Sequence, residues 1–266
     1  MRYKSFILIL MLITLCSIFI LCGNDVGLIY HNDYYILKEA EKNKPGKPLV
    51  VENNIIFTEK NKLICVNNEN KEIKWTQTLK HNILANPVTD GLFVYAVSPY
   101  ELVSIDITDG KEVWRKESTR EFISEAYLYK SNLYILGEER FYSIASKLEK
   151  PKNPDIESVG QVHINQILDF EAPIHKDIGV VINYKDDMAF LVVADTKSLK
   201  YNKLIAVKLT NYNLSKLWKY QAEEDIISLM TYETINDRKN LYFISKGNIL
   251  NCIDVNKGEL SYSVEF

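Results

Sequence analysis

The sequence predicts an all-β protein: a β-propeller of four-stranded blades, five or six in number, preceded by a hydrophobic N-terminal segment. Three observations carry that reading. Part of the chain recurs at a spacing of 39 residues, each copy holds strand-length apolar runs bounded by turn residues, and all three tryptophans fall at one position of the repeat. A tandem unit of about 40 residues holding four short strands is a propeller blade, because such a sheet cannot cover both faces alone and packs on copies of itself.

In chain order, Arg2 and Lys4 lead into an apolar run over 6–22, interrupted only by Thr14 and Ser17. A short basic region before such a run is the pattern of a secretory signal, and about 17 residues is the lower limit for a membrane-spanning helix. The body is therefore expected outside the cytoplasm, periplasmic or at the cell surface, attached to a membrane through residues 1–22. Cys22 is the candidate for lipidation, although Leu21 stands where a lipoprotein signal normally places Gly, Ala or Ser. A retained anchor and simple cleavage are the other two outcomes. Residues 23–47 read as a tether with one further strand candidate over 28–38, belonging either to another blade or beside the last blade where the ring closes. The propeller is expected over 48–266.

The first clear copy starts at Leu63 (LICVNNENKEIKW) and the second at Leu102 (LVSIDITDGKEVW), 39 residues on and without a gap; Pro48 and Pro87 keep the same spacing. A copy at Leu250 (LNCIDVNKGELSY) puts Tyr262 in the tryptophan position, and one at Leu204 (LIAVKLTNYNLSKLW) has a longer turn before Trp218. A weaker copy, FYSIASKLEKP, starts at Phe141. The starts are 39, 39, 63 and 46 residues apart, so the long interval is expected to hold an irregular linker over 147–160 and an enlarged blade with the strands DIGVVINY and MAFLVVADT.

Within each copy the residues have defined tasks. Asn67, Asp106 and Asp254 share a position from which a side-chain oxygen can accept bonds from turn amides. Gly110 and Gly258 supply the positive φ of a tight hairpin; in the first copy Lys71 stands there, and its neighbour Asn70 is expected to take the left-handed conformation. Cys65, Ser104, Ala206 and Cys252 align as small residues where a neighbouring sheet comes close. Trp75, Trp114, Trp218 and Tyr262 are expected to dock on that neighbour.

Lys+Arg total 32 against 35 Asp+Glu, a net charge of −3, which leaves no electrostatic footprint for nucleic acid. Of four cysteines only Cys65 and Cys252 lie beyond the leader, so the body is no disulfide scaffold and both thiols are expected to be free.

Segment 106–114, DITDGKEVW, resembles the PQQ-type propeller repeat: a strand ending in an acidic residue, a turn with Gly, then Trp. The resemblance runs over roughly 48–266, strongest in the second blade and weakest in the third. It implies the fold. Families with this repeat include quinoprotein alcohol dehydrogenases and the propeller lipoprotein of the outer-membrane β-barrel assembly machinery, so the resemblance alone implies no activity. The dehydrogenases carry a vicinal Cys-Cys pair beside their cofactor, and no such pair occurs in this sequence.

The remaining chemistry-bearing residues have simpler readings. His31, His81, His163 and His175 show no metal-ligand spacing. The acidic pairs Glu138-Glu139, Asp186-Asp187 and Glu223-Glu224 fall beside turns and read as solvated hairpin charges before they read as the paired carboxylates of a glycosidase. Tyr127, Tyr129, Tyr134 and Tyr142 suit strand packing as well as a binding surface. No catalytic residue, cofactor or metal site is assigned. The expected function is a non-catalytic, protein-binding scaffold at the cell envelope; the alternative is a propeller with a small-ligand or glycan site at its central channel.

Overall fold

The computed structural model describes residues 34–37, 40, 46–84, 86–146, 164–210 and 214–266. The hydrophobic run, Cys22, His31 and His163 lie outside these residues. No helix among the described residues is long and apolar enough to cross a membrane.

After strand β1 (Tyr34–Leu37), twenty strands form five antiparallel sheets in chain order. The first blade holds β2 (Leu49–Val51), β3 (Asn54–Glu59), β4 (Lys62–Asn67) and β5 (Ile73–Thr78). The second holds β6 (Val88–Thr89), β7 (Phe93–Ser98), β8 (Glu101–Asp106) and β9 (Glu112–Glu117). The third holds β10 (Tyr127–Tyr129), β11 (Asn132–Leu136), β12 (Arg140–Ala145) and β13 (Ile164–Asp169). The fourth holds β14 (Val180–Asn183), β15 (Met188–Val193), β16 (Lys203–Leu209) and β17 (Leu214–Gln221). The fifth holds β18 (Thr231–Ile235), β19 (Arg238–Ser245), β20 (Ile249–Asp254) and β21 (Glu259–Glu265). The fold is therefore an all-β propeller of five four-stranded blades.

Two expectations need correction. The residues expected as a linker, 147–160, fall inside the third blade, between β12 and β13, while the expected enlarged blade is the fourth, whose β15–β16 connection spans nine residues, 194–202. The upstream strand neither founds a sixth blade nor sits beside the last one. It pairs with β14, Tyr34 opposite Asn183 through Leu37 opposite Val180, and makes the fourth sheet five-stranded. The reason is an open backbone edge: β14 bonds β15 on one side only, and unpaired N–H and C=O groups on the other side accept a strand.

Segments leading into the first strands of three blades touch in series. The Lys47 amide donates to Asn86 Oδ1 (2.5 Å), and Asn86 donates through its amide (3.2 Å) and side chain (2.8 Å) to Glu125 Oε2. These three residues lie 39 apart, so they are one repeat position meeting itself at the centre of the array. First strands thus face the channel, and fourth strands, of which β21 is exposed throughout, form the outer rim. β1 lies on the channel side of the fourth blade.

The core is built between blades. Leu63, Trp75 and Ile56 pack on Val94 and Ile105 of the second blade; Tyr95, Leu102 and Trp114 pack on Ile135 and Tyr142 of the third. Tyr134 and Phe141 meet Leu191 and Val207 of the fourth, and Phe190 and Leu204 meet Leu241 and Phe243 of the fifth. Among the described residues no such cluster joins the fifth blade to the first.

Candidate functional site

The repeat position of the tryptophans is the best-defined constellation in the molecule. In every blade the pairing of third and fourth strands shifts register just after the small residue, at Cys65, Ser104, Ser143, Ala206 and Cys252. The extra residue lies immediately before the aromatic position, and the twist of a bulge re-aims the side chain that follows it. Trp75 Nε1 then donates to Ile107 O of the second blade (2.9 Å), Trp114 Nε1 to Ser146 O of the third (3.2 Å) and Trp218 Nε1 to Val255 O of the fifth (2.8 Å). Each acceptor follows the acidic or equivalent residue of the next blade's turn, so one residue pairing recurs at three junctions.

The turn is shaped to receive the ring. The Asp106 carboxylate accepts the Thr108 amide (2.7 Å), its carbonyl accepts the Gly110 amide (2.9 Å), and Gly110 takes φ 73°. Asp254 does the same for Asn256 and Gly258, with Gly258 at φ 72°. A Cβ on Gly110 would lie 2.4 Å from Trp75 Cγ, and one on Gly258 2.5 Å from Trp218 Cγ. In the first blade the left-handed residue is Lys71 itself, at φ 64°, and not Asn70. Tyr262 keeps the register, opposite Cys252, but it is 48% exposed and docks on no blade. The described residues hold no turn of a following blade for it to meet.

Polar residues tie the blades together at points that no sequence motif marks. Glu101, buried in the hairpin of the second blade, accepts the Lys80 amide (2.6 Å) from the inter-blade linker and pairs with Arg115. A buried carboxylate costs several kcal/mol unless it is paired and hydrogen-bonded, so this one locks the linker to the hairpin. Asp186 and Asp187 are not the solvated charges the sequence suggests. Asp187 accepts Tyr129 Oη (2.7 Å) and Lys130 Nζ (2.6 Å) from the third blade, while Asp186 accepts Tyr232 Oη and Lys239 Nζ from the fifth. Burial works against ionising Asp186, but the Lys239 and Tyr232 hydrogen bonds outweigh it and hold the carboxyl below the usual range. Burial, reinforced by the Asp186 carboxylate, pushes the Tyr232 phenol up.

The other candidates are dispersed. His81 is exposed and meets Tyr100 edge-on, with centroids 5.4 Å apart; His175 packs on Tyr201 at 4.6 Å, and burial lowers its pKa. Glu138 and Glu139 lend backbone carbonyls to Ile174 and Phe170, and Glu224 pairs with Lys200 at 2.8 Å. Tyr134 and Tyr142 are core residues, and burial pushes the Tyr134 phenol up to about 12. Among the described residues no group of three or more His, Cys, Asp or Glu could hold a metal. Cys65 and Cys252 are buried and free. The Lys47, Asn86 and Glu125 row was detectable from its 39-residue spacing; Glu101 carried no sequence signal, because its repeat equivalents are Lys62 and Arg140.

These features define a β-propeller of five blades. A family model described as outer membrane protein assembly factor BamB matches residues 37–142, less than half of the chain. Among solved structures, BamB from Moraxella catarrhalis is similar at 12% identity and TM-score 0.49, with 83% of this chain and 64% of that one covered. A europium-containing methanol dehydrogenase is similar at 11% identity and TM-score 0.54 (91% and 55% covered). The quinohemoprotein alcohol dehydrogenase of Comamonas testosteroni is similar at 11% and 0.56 (88% and 45%). The chain thus spans 45 to 64% of the length of these proteins; the likeness to the two dehydrogenases, at 11% identity, is one of fold. No curated protein sequence matches.

Proposed function

We propose that the protein is a non-catalytic scaffold of the cell envelope, held outside the cytoplasm by residues 1–22 and binding a protein partner through the rims of its blades. The observation that carries this reading is how the polar side chains are used. Glu101, Asp186 and Asp187, the best-placed carboxylates, are each held by cations or amides of a neighbouring segment, so their charge serves the frame and does not face a shared cleft. β1 extends the fourth blade at its first strand, on the side of the central channel where the alternative reading places a small-ligand or glycan site. The family model over 37–142 supports a role in envelope assembly, while the dehydrogenases of similar fold keep an enzyme as the competing reading. Binding would use the free outer edges of the fourth strands, where an extended partner segment adds backbone hydrogen bonds.

Purification of the full chain from detergent-solubilised envelopes after mild crosslinking tests the proposal. A defined envelope protein recovered in stoichiometric amount is expected. Stoichiometric quinone or calcium in the purified protein, or glycan turnover abolished by substitution of one carboxylate, would replace the scaffold by an enzyme.

A further inference from the structure

We propose that the protein associates head to tail with a second copy of itself, the uncovered face of its fifth blade packing on the uncovered face of its neighbour's first blade. At each internal junction one blade presents a row that the next blade covers. In the first blade that row is Ile56, Cys65 and Trp75, all buried against the second. The corresponding row of the fifth blade is Tyr242, Cys252 and Tyr262; Cys252 is buried beneath the aromatic, but no described blade covers Tyr262, which is 48% exposed. The receiving half shows the same contrast. Val94 and Ile105 of the second blade are fully buried under the first. Their counterparts 39 residues earlier, Ile55 and Val66, are half-buried, and the same cross-strand row ends in Val50 and Ile73, 65% and 64% exposed.

Among the described residues one donating and one receiving half thus have no partner, and a second copy holds the complement of each. The polar detail of the two halves is also matched. Internally, an indole N–H supplies the turn carbonyl of the next blade. Tyr262 carries a phenol O–H in place of the indole N–H, and the first blade's equivalent carbonyl, that of Asn68, already accepts from the ammonium of Lys71. A phenol ring meeting this turn leaves no carbonyl orphaned and lies beside a cation. The contact is heterologous, so each added copy leaves one half of each kind open, and growth continues unless the rotation closes a ring.

Cysteine trapping in the full chain in detergent tests this. A Cβ on Gly110 would lie 2.6 Å from Trp75 Cβ and one on Gly258 2.9 Å from Trp218 Cβ, so the equivalent pair, Lys71 and Tyr262, is within bridging reach after slight relaxation. Mixing Lys71→Cys chains with Tyr262→Cys chains should give a disulfide-linked dimer of one of each, with neither variant alone crosslinking above wild type. No mixed dimer, self-linking of Tyr262→Cys chains, or a bridge within single chains of the double variant would each overturn the proposal. Because these substitutions alter the contact itself, sedimentation of the unsubstituted chain is the second measurement: mass should rise with concentration and the rise be lost in Ile73→Glu and in Val264→Glu, Val264 being the exposed residue two beyond Tyr262 on the same face of β21. A monomer at every concentration would also overturn it.

Discussion

Gly110 lies flat against the indole of Trp75, with no room for a side chain: a Cβ there would come within 2.4 Å of Cγ and 2.6 Å of Cδ2. The same turn position in the fifth blade faces Trp218 in the same way. Backbone conformation and close approach thus require glycine at one point for two independent reasons.

Gly91 separates them. It also has positive φ, at 94°, but nothing lies within 4 Å of its added Cβ. Gly91→Ala should cost only the backbone strain, about 1 kcal/mol, while Gly110→Ala should cost about 1–3 kcal/mol more from overpacking against the ring. Urea denaturation midpoints of the two variants check this; equal losses would mean that the indole yields freely.

Trp114 and Tyr262 occupy one repeat position with opposite burial, 4% and 48% exposed. Trp114→Ala should cost about 3–5 kcal/mol, as expected for emptying a core aromatic site, and Tyr262→Ala well under half of that when measured at low protein concentration. Comparable losses would contradict the uncovered state of the fifth blade.

The blades were legible in the sequence because a repeat prints the same packing requirement many times. Trp75, Trp114 and Trp218 each need a small partner across the strand pair and a tight turn on the next sheet, and those requirements recur at a fixed spacing. Three things were not legible. The insertion in the third blade has no counterpart elsewhere, so its place between β12 and β13 had no pattern to betray it. The pairing of β1 depends on the free backbone edge of β14, which is blind to residue identity. Asp186 and Asp187 look like any exposed turn pair until the flanking blades bring Lys239 and Lys130 to them.

That last arrangement sets a pH dependence. Asp186 and Asp187 are both held below the usual carboxylate range when folded, against an unfolded value of about 3.9. A depressed folded value means that the stabilisation is fully present above about pH 4 and is lost as pH falls through the folded value. Thermal midpoints should drop on acidification below about pH 4, with a shallower drop in Asp186→Asn and a lower midpoint for that variant at neutral pH. An unchanged acid profile in Asp186→Asn would assign the sensitivity to other carboxylates.

Cys65 and Cys252 sit beneath their aromatic partners, and burial raises the Cys65 thiol, with Lys74 opposing. The reactive species is the thiolate, so burial and a raised pKa both protect Cys65. Alkylation at pH 7 followed by peptide mass mapping should leave both residues unmodified in the folded chain and label both after denaturation without reductant. Label at either site before unfolding would show that its blade opens locally. Failure to label both after unfolding would show a disulfide.

The edge position of β1 makes the final prediction. Four residues add to β14 through backbone bonds, with Ile36 opposite Val181 and Leu37 opposite Val180, while β14 is held independently on its other side by β15. Removing β1 should therefore uncover one edge without unfolding the blade. Proline at Ile36 deletes an amide and cannot sit within a paired strand interior, so Ile36→Pro should release the segment. Hydrogen exchange should then accelerate at those amides of 180–183 that point toward β1, while the alternate amides, which point toward β15, stay protected. Val180, Val181 and Ile182 are fully buried, so the freed edge also brings apolar surface closer to water and should increase binding of a hydrophobic dye. Uniform acceleration across all five blades would mean instead that β1 is required for the fold, and unchanged exchange would mean that β14 keeps its edge covered without it.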